Sequence, residues 1–428
     1  MEPQGDVIVV GGGLAGLTAA LELARGGRGV RLFEKSDTLG GRAVTRREAG
    51  FAFNVGPHAL FRHGHARVIL EELGIPFTGA VPAVSGSYAL AQGRLETLPA
   101  GFLSLLATGL LSLPAKLELS RLLAGLGAVD ARALDGVSVK EWLARRLSQA
   151  GTRALLEALF RLTTYVNDPD RLSAGAAIDQ LRAGLRGVLY LDGGWQTLVD
   201  GLRQAALAAG VRLLTRAQVT AVEHGVSAGG VRLADGSVCT AGAVVLATDP
   251  TTAAALAPRS ASLASWAAQA APVPVASLDV ALAHLPRPRG RFALGVDVPL
   301  YVSVHSATAR LAPPGGALVH AARYLGPEPQ DPDAVERELE AALERVQPGW
   351  RRAVVHRRFL PRVLAAQATP LASQRGLTGR PGPAVPDVAH LYVAGDWVGG
   401  QGQLADAACA SARSAARAIL SARRTAAA

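Results

Sequence analysis

The chain has 428 residues, of which 49% are hydrophobic and 18% are charged. This composition excludes a disordered or fibrous protein, and the length excludes a small scaffold held together by disulfides. The formal net charge is +10, but the arginines are scattered and only 5% of the residues are aromatic. The pattern of a nucleic-acid-binding protein is therefore missing, and we expect no nucleic acid as a partner.

Cysteine usage and the start of the chain bear on the compartment. Cys239 and Cys409 are the two cysteines, too few for a disulfide framework or a thiolate metal site, so we expect no metal and a reducing environment. Residues 1–6 contain neither a basic nor an apolar segment of an export signal. The expected location is the cytoplasm.

The strongest motif lies near the start of the chain, where an apolar, strand-like run is followed by a G-x-G-x-x-G pattern and then by a helical pattern. In such a motif Gly11 permits the tight turn, Gly13 lets the backbone approach a pyrophosphate, and Gly16 allows close helix packing. The amides at the start of the helix, at Leu14 and Ala15, supply an anion site. These residues predict a dinucleotide-binding unit.

The next residues refine the type of dinucleotide. Glu34 ends the second predicted strand, where a carboxylate accepts hydrogen bonds from a ribose diol and disfavours a 2′-phosphate. It is followed by Lys35 and by a second glycine turn that contains Gly41 and Arg42. Arg42 is a cation able to reach phosphate oxygens. A simple nicotinamide-binding domain has no standard need for this second turn.

On these residues the chain resembles the superfamily of FAD-dependent amine oxidases, phytoene desaturases and protoporphyrinogen oxidases. Its opening signature is matched by residues 7–42, and its closing signature by residues 391–397 and 402–407. Two matching ends in the right order are more specific than either alone. The resemblance implies an α/β fold, with a Rossmann-like FAD-binding domain intertwined with an α+β substrate domain, and noncovalently bound FAD.

The resemblance also implies cofactor contacts elsewhere in the chain. Gly395 and Asp396 would contact the pyrophosphate and the ribityl chain, and the backbone of Val219 would lie against the adenine. The helix that begins near Gln403 and Leu404 would point its amides at the flavin pyrimidine and favour negative charge there.

A further segment, residues 50–60, resembles the part of the family fold that runs under the isoalloxazine ring. Gly56 and Pro57 would form a fixed turn close to the flavin. His58 is the one histidine that a motif places near the flavin, and it is our candidate proton acceptor. The alternative is a packed or solvated histidine without a catalytic role.

The lysines bear on the substrate. Amine oxidases of this superfamily usually carry a substrate-domain lysine that holds a water near flavin N5, but this chain has only Lys35, Lys116 and Lys140. We therefore predict an FAD-dependent oxidoreductase that desaturates an apolar small molecule, such as an isoprenoid or polyene, by hydride transfer to N5. Dioxygen or a quinone would accept the electrons. The alternatives are a flavin amine oxidase and, from another class, a non-redox flavin-dependent isomerase or flavin-binding module.

Residues 99–126 include a nearly uncharged run that is too short to span a membrane. It is typical of a core helix or of an access helix that dips into lipid, which would add peripheral contact with the inner face of the membrane. Tyr301, His305, His320 and Tyr324 lie in β-like segments, and we interpret them as structural. The predicted domains are an FAD-binding domain of residues 1–80, 190–270 and 384–428, and a substrate domain of residues 81–189 and 271–383.

Overall fold

A computed structural model describes residues 6–83 and 86–426, and within them the chain forms a mixed α/β fold. The described strands are β1 (Val7–Val10), β2 (Val30–Phe33), β3 (Thr45–Glu48), β4 (Phe51–Asn54), β5 (Leu60–Phe61), β6 (Gly79–Ala80), β7 (Ser87–Ala91), β8 (Arg94–Thr97), β9 (Val188–Leu191), β10 (Arg212–Leu214), β11 (Val219–His224), β12 (Ala228–Leu233), β13 (Val238–Thr240), β14 (Ala243–Leu246), β15 (Val273–Leu282), β16 (Phe292–Gly295), β17 (Leu300–Val304), β18 (Ala317–Tyr324), β19 (Val354–Ala366) and β20 (Leu391–Val393). The described helices are α1 (Leu14–Arg25), α2 (His65–Glu72), α3 (Phe102–Ala107), α4 (Leu113–Gly125), α5 (Val139–Arg146), α6 (Ala150–Thr164), α7 (Ala174–Leu185), α8 (Gln196–Ala208), α9 (Pro250–Leu256), α10 (Ala261–Gln269), α11 (Pro332–Val346) and α12 (Ala405–Ala426).

One of the two large sheets is parallel and has five strands. Its strand order is β10-β2-β1-β14-β20, so distant parts of the chain meet in one sheet. Both β1 and β14 are apolar and fully buried, as expected for strands covered on both faces. The helices α1, α2, α8 and α12 share one core on one side, and the β11–β13 sheet and α9 pack on the other side. The carboxyl ends of these strands meet at one edge.

Helix α12 brings the end of the chain back to its start. Small residues such as Ala408, Ala412 and Ala415 are buried in the core that α12 shares with α1, because their side chains permit close approach. The Arg413 Nε atom lies 2.6 Å from a carboxylate oxygen of Glu22 in α1. The first and last helices are thus held together by packing and by an ion pair.

The second large sheet has seven strands in the order β19-β15-β18-β17-β16-β7-β8. One of its faces is apolar and packs on α11, which begins after the capping residue Asp331. The helical spacing of Val335, Leu339, Ala342 and Val346 predicts a buried stripe on α11, and the structure buries all four. This face is scaffold.

The opposite face of the seven-stranded sheet carries buried polar side chains. Because side chains alternate along a strand, this face carries Tyr301 from β17, His320 and Tyr324 from β18, and Asp279 from β15. We call these four residues, with Ser277 and Ser303 beside them, the polar face. Helices α4 to α7 pack near its tyrosine end, and residues 51–58 lie against its Asp279 end.

Residues 99–126 form two helices rather than one. Helix α3 ends before Thr108, whose backbone is extended and whose hydroxyl donates to the Thr97 carbonyl at 2.6 Å, and α4 starts only at Leu113. None of the six residues of α3 is buried. Among the residues that the structure describes, no helix has both the length and the apolar character needed to cross a bilayer.

The chain crosses between the two large sheets several times. The parallel sheet takes strands from residues 7–33, 212–246 and 391–393, and the seven-stranded sheet takes strands from residues 87–97 and 273–366. We propose that the predicted FAD-binding domain is built around the parallel sheet and the predicted substrate domain around the seven-stranded sheet.

Candidate functional site

The glycine pattern forms a turn between β1 and α1 that leaves room beside one of its members. A Cβ atom at Gly11 would lie 2.6 Å from the Ala247 carbonyl oxygen, and one at Gly16 would lie 1.8 Å from the Gly11 carbonyl oxygen. A Cβ at Gly13 would instead meet nothing nearer than the Gly40 carbonyl oxygen at 3.9 Å. The space beside Gly13 is therefore open, at the uncapped start of α1, where helix amides attract an anion.

Glu34 is held at the end of β2 by backbone donors. Its Oε2 atom accepts from the Gly12 N–H at 2.7 Å, and its Oε1 atom accepts from the Ser36 N–H at 2.9 Å. The carboxylate therefore stays beside the glycine turn, where it can accept hydroxyl donors. Val219, at the start of β11, is buried nearby, since the N–H of Ala217 donates to the Glu34 carbonyl at 2.9 Å.

Two arginines and one carboxylate lie where the start and the end of the chain meet. Arg42 Nη1 is 2.8 Å from Asp396 Oδ2 and 2.9 Å from the Ala365 carbonyl oxygen. Burial alone would lower the pKa of Arg42, but the charge and hydrogen bond of Asp396 raise it above its ordinary value. Arg42 therefore remains a cation in this position.

The second arginine, Arg380, donates from Nη1 to the Gly402 carbonyl at 3.1 Å. Burial lowers the pKa of Arg380 to about 10, and attraction to Asp396 offsets only part of this effect. Its buried Nε atom and the Asp396 Oδ1 atom have no hydrogen-bond partner among the described residues. Two cations around one carboxylate, with unsatisfied polar atoms on both kinds of group, are complementary to an anionic ligand with hydroxyl donors.

The turn after β20 and the start of α12 complete this side of the site. The N–H of Gly395 donates to Ser411 Oγ at 2.9 Å, which fixes the turn against α12. Gln403 is buried and its Nε2 atom donates to the Ala176 carbonyl at 2.8 Å. Leu404 has a φ of +56°, a strained value for a residue with a branched side chain, directly before α12.

These observations test whether FAD fits. The open space beside Gly13 and the cations Arg42 and Arg380 match a pyrophosphate. The carboxylate of Glu34 matches a ribose diol, and the Asp396 carboxylate, with its unpartnered Oδ1 atom, matches a polyol chain. The residues present therefore fit FAD. Within the described residues, no group of three or more His, Cys, Asp or Glu side chains is arranged to hold a metal ion.

The turn formed by Gly56, Pro57 and His58 lies between the two sheets. Gly56 has a φ of +74°, and a Cβ atom there would be 3.6 Å from the Ser277 Cβ atom on the polar face. His58 Nδ1 lies 3.1 Å from the Gly56 carbonyl oxygen, and the His58 ring packs edge-on against Trp195 at 5.0 Å. Burial lowers the pKa of His58 to about 4. His58 is thus neutral at pH 7 and a weak proton acceptor.

The polar face contains a buried charged network that centres on Asp279. Its Oδ1 atom lies 2.7 Å from His320 Nδ1 and accepts from Ser277 Oγ at 2.6 Å, and its Oδ2 atom lies 2.6 Å from Arg358 Nη2. Burial would raise the pKa of Asp279, but His320, Arg358 and Ser277 together hold it below its ordinary value. Asp279 is therefore an ionised carboxylate in the interior.

Two histidine rings and a tyrosine extend this network. The His305 ring is stacked on Tyr190 with centroids 3.9 Å apart, and it meets the His320 ring edge-on at 4.6 Å. Burial, with His320 and His58 nearby, keeps the pKa of His305 well below its ordinary value. His305 Nδ1 and His320 Nε2 are buried and have no hydrogen-bond partner in the described part of the chain.

Three further tyrosines line the other end of the polar face. The Tyr301 and Tyr324 rings are stacked at 5.6 Å, and Tyr165 meets Tyr324 edge-on at 6.0 Å. Tyr165 ends α6 with a φ of +64°, and its hydroxyl donates to the Pro57 carbonyl at 3.3 Å. A strained tyrosine therefore joins the helices of the substrate side to the turn at His58.

The structure brings most of the sequence-predicted residues to one region. Leu14 and Ala15 are buried at the start of α1, and Gly41 lies opposite Gly13, since a Cβ atom at Gly41 would be 3.7 Å from the Gly13 Cα atom. Lys35 is exposed beside Glu34. The residues that surround the open space at the glycine turn or the turn after β20 are Gly11, Gly13, Gly16, Glu34, Gly41, Arg42, Gly395 and Asp396.

Sequence reasoning missed Arg380, Asp279 and Tyr165. Arg380 precedes a proline-rich connection and belongs to no motif, so nothing in the sequence marked it. Asp279 could have been found from the sequence, because it is an acidic residue inside a ten-residue strand whose other members are mostly apolar. The structure buries this strand throughout. The interpretation of His305 and His320 as merely structural did not anticipate a buried network with two free ring nitrogens.

Comparison with known proteins gives the family. The sequence pattern of flavin containing amine oxidoreductases matches residues 14–420. AofH of Mycobacterium tuberculosis, named as a flavin-containing monoamine oxidase, is 34% identical over 268 residues, which are 57% of this chain and 57% of AofH. Coproporphyrinogen III oxidase of Propionibacterium freudenreichii is 29% identical over 302 residues, 56% of each chain. The chain thus spans a little over half the length of these curated relatives.

Solved structures support the fold. An oxidoreductase from Methanosarcina mazei superposes with a TM-score of 0.76 at 20% identity, and the match covers 98% of this chain and 100% of that one. At this identity the likeness concerns the fold alone. Together with the family pattern over residues 14–420, it confirms the α/β fold expected from the two sequence signatures. The chain belongs to the family of flavin containing amine oxidoreductases, and its cofactor is FAD.

Proposed function

We propose that the chain is an FAD-dependent oxidoreductase that oxidises an apolar small molecule, such as an isoprenoid or polyene, by desaturation. One observation carries this proposal. The cationic dinucleotide site, formed by Arg42 and Arg380 around Asp396, and the buried polar face, rich in tyrosine, lie on either side of the His58 turn. Bound noncovalently, FAD would supply the hydride acceptor of the oxidation, its N5 atom, and dioxygen or a quinone would take up the electrons.

The residues of the chain contribute binding and exclusion of water. Glu34, which is fixed by the Gly12 N–H, would accept hydrogen bonds from ribose hydroxyls, and Arg42 and Arg380, on either side of Asp396, would neutralise phosphate charge. Tyr165 fixes the turn of residues 56–58 from the substrate side. The buried rings of the polar face keep water from the reacting carbon, and aromatic faces suit an apolar or conjugated substrate.

The positions of the lysines favour desaturation over amine oxidation. Lys35 is exposed, Lys116 Nζ donates to the Leu106 carbonyl at 2.8 Å, and Lys140 Nζ lies 2.7 Å from Asp170 on the surface. None of the three lysines of the chain therefore lies on the polar face. Amine oxidation remains the second candidate because AofH, the relative at 34% identity, is named as a monoamine oxidase.

Anaerobic flavin bleaching tests the proposal. The purified, FAD-loaded protein is mixed without oxygen with phytoene in detergent, with coproporphyrinogen III or with benzylamine, and the absorbance of the flavin is followed. We expect bleaching by phytoene, the apolar compound of this panel, whereas bleaching by coproporphyrinogen III alone would contradict an apolar substrate. Bleaching by benzylamine alone, with peroxide released after oxygen is admitted, would establish the amine oxidase instead. Product formation without any change in flavin redox state would indicate isomerisation.

We further propose that α3 and α4 contact a lipid surface through which an apolar substrate enters. Phe102, Leu103 and Leu113 expose 75%, 78% and 70% of their surface, and Leu106 and Leu117 expose at least half of theirs. A groove of about 530 Å³ beside α4 is lined by several apolar residues together with Arg121, Arg146 and one acidic residue, Glu118. An exposed apolar patch flanked by cations is suited to anionic lipid.

A further inference from the structure

The buried histidine His320 has a place in the chemistry that no motif assigns. It is fully buried on the polar face, its Nδ1 atom lies 2.7 Å from Asp279 Oδ1, and its Nε2 atom has no hydrogen-bond partner among the described residues. A buried nitrogen without a partner costs free energy unless a ligand or water completes it. The Nε2 atom is therefore available to a polar or proton-donating group of a ligand.

The surroundings of His320 fix which nitrogen is free. Asp279 lies within hydrogen-bond distance of Nδ1 and accepts from Nδ1–H, so a neutral His320 ring has its lone pair on Nε2. Asp279 is itself held by Arg358 at 2.6 Å and by Ser277 at 2.6 Å. The carboxylate thus sets the tautomer of the ring.

His320 also lies close to the turn that the family resemblance puts under the flavin. Ser277, which donates to Asp279, is the residue that a Cβ atom at Gly56 would approach to 3.6 Å. His320 is opposite Ser303 on the neighbouring strand, and Tyr301 lies two residues before Ser303 on the same face. His320, the His58 turn and the tyrosines of the polar face therefore share one buried region.

We propose that His320 is the proton acceptor of the oxidation and that Asp279 is its positioning residue, an inference that rests on the proposed function. In a desaturation, one C–H bond breaks and its hydrogen leaves with the electron pair as a hydride to FAD. The neighbouring C–H bond breaks and its electron pair forms the new C=C bond, while the proton goes to His320 Nε2. The substrate loses two electrons, FAD gains them, and the proton later passes to solvent.

Other groups around His320 are less suited to this role. His58 has a pKa lowered to about 4, and its Nδ1 atom is near the Gly56 carbonyl. His305 has no carboxylate partner in the described hydrogen bonds and has a pKa well below its ordinary value. The charged or titratable groups that face His320 are Asp279 on β15, Arg358 on β19, His305 after β17, His58 on its turn and Tyr190 on β9.

The first test needs no substrate. In the unmodified protein labelled with ¹⁵N-histidine, the nine histidines are observed by NMR, and the His320 signals are those lost in His320→Gln. We expect the neutral His320 ring to carry its proton on Nδ1 and its lone pair on Nε2, and this tautomer to be lost in Asp279→Asn. A His320 ring that is protonated on Nε2 at neutral pH, with or without a proton on Nδ1, would overturn the proposal.

The second test uses the compound of the panel that bleaches the flavin. We expect His320→Gln to keep bound FAD but to bleach about 100-fold to 1,000-fold more slowly, and to lose the rise of rate with pH. Asp279→Asn should show a smaller loss and a shifted pH profile, and His284→Gln, at an exposed histidine, should match the unmodified protein. Unchanged bleaching and an unchanged pH profile in His320→Gln would refute the proposal.

The two tests separate this inference from the proposed function. If the unmodified protein carries FAD that no compound of the panel bleaches, the proposed function fails, and the NMR result alone decides whether His320 is an available acceptor. If bleaching occurs and His320→Gln does not affect it, the proposed function stands and the role of His320 is refuted. If His320→Gln does not fold, the His320 signals are assigned as those that change in Asp279→Asn, and unchanged histidine signals together with unchanged bleaching in Asp279→Asn refute the proposal.

Discussion

Gly13 is the residue at which the chain leaves space for a ligand, whereas the glycines around it are fixed by contacts within the protein. A Cβ atom at Gly13 would be in contact only with the Gly40 carbonyl at 3.9 Å, so Gly13→Leu need not unfold the turn but would fill the space. We expect a folded, colourless protein. Gly136→Leu is the matched control, because Gly136 is exposed and nothing lies within 4 Å of its Cβ position. Gly13→Leu protein that is yellow and fully loaded would contradict the placement of FAD.

Arg380 supplies a second prediction at the scale of a residue. It is a partly desolvated cation with an unsatisfied Nε atom near Asp396, so we expect it to hold an anionic part of FAD. Arg380→Met should raise the dissociation constant for FAD about 10-fold to 100-fold, as for the loss of a charged hydrogen bond. Titration of FAD into stripped protein measures this. Arg289→Met, at an exposed arginine, should bind like the unmodified protein, and equal affinities of the two variants would refute the role.

The titration of His58 gives a third prediction. The pKa of His58 is about 4 in the folded chain because of burial, against an ordinary value of 6.5. Between these values the unfolded chain binds a proton that the folded chain does not, so the free energy of unfolding decreases as the pH falls from about 6.5 to about 4. His58→Gln should remove up to about 3 kcal/mol of this decrease. Urea denaturation at pH 7 and pH 4.5 measures it, with His284→Gln as the control.

Single residues were predictable from the sequence where their role depends on the geometry of one short segment. Glycines at Gly11, Gly13 and Gly16 and the carboxylate of Glu34 act within one strand-turn-helix unit, so their spacing in the sequence already indicates the arrangement. His320 and Asp279 are 41 residues apart and meet only because β15 and β18 pair in one register. No spacing rule predicts such a pair, and the register of a sheet is not readable from one sequence.

At the scale of elements, α3 is held mainly by its own cap and by α4. Ser104 exchanges hydrogen bonds with Gly101 at 2.9 Å, and Lys116 of α4 donates to the Leu106 carbonyl at the end of α3. The apolar composition of residues 99–113 is compatible with a core helix, and the sequence could not decide between that and an exposed one. The break at residues 108–112 turns α3 outward.

This exposure gives a prediction for the pair of helices. Leu103→Ser removes an apolar side chain that is 78% exposed, so it should weaken binding to vesicles of phosphatidylglycerol and phosphatidylcholine without loss of thermal stability. Co-sedimentation with the vesicles measures this. Val226→Ser is the matched control, since Val226 is 89% exposed in the turn after β11 and lies outside α3 and α4. If the unmodified protein does not sediment with the vesicles, the lipid proposal is wrong.

For the whole molecule, the cofactor site joins distant parts of the chain. Arg42 contacts Asp396 and the carbonyl of Ala365, so FAD bound there would tie the turn after β2 to the end of β19 and the turn after β20. A ligand that binds only the folded chain stabilises it by mass action, by about 4 kcal/mol at 1,000 times the dissociation constant. Removal of FAD should therefore lower the melting temperature, and added FAD should restore it in a concentration-dependent way. A melting temperature indifferent to FAD would contradict the site.

The overall architecture was predictable to the extent that local signals marked its ends. The glycine turn after β1 and the Gly395-Asp396 turn after β20 indicated where the parallel sheet begins and closes, and the buried stripe of α11 was readable from its period. The helices of the substrate side carry no such motif. Their arrangement against the polar face depends on shape and packing across the whole molecule, which one sequence does not encode in any local pattern.

The meeting of Arg42 with Asp396 and of α1 with α12 has a consequence for biosynthesis. A ribosome makes the glycine turn long before the residues from Asp396 to Arg413, so the nascent polypeptide has only part of the FAD site until those residues are made. Flavin capture should consequently wait for those residues. The parallel sheet would also lack β20, its final edge strand, until then, which makes the unfinished chain a natural client for chaperones.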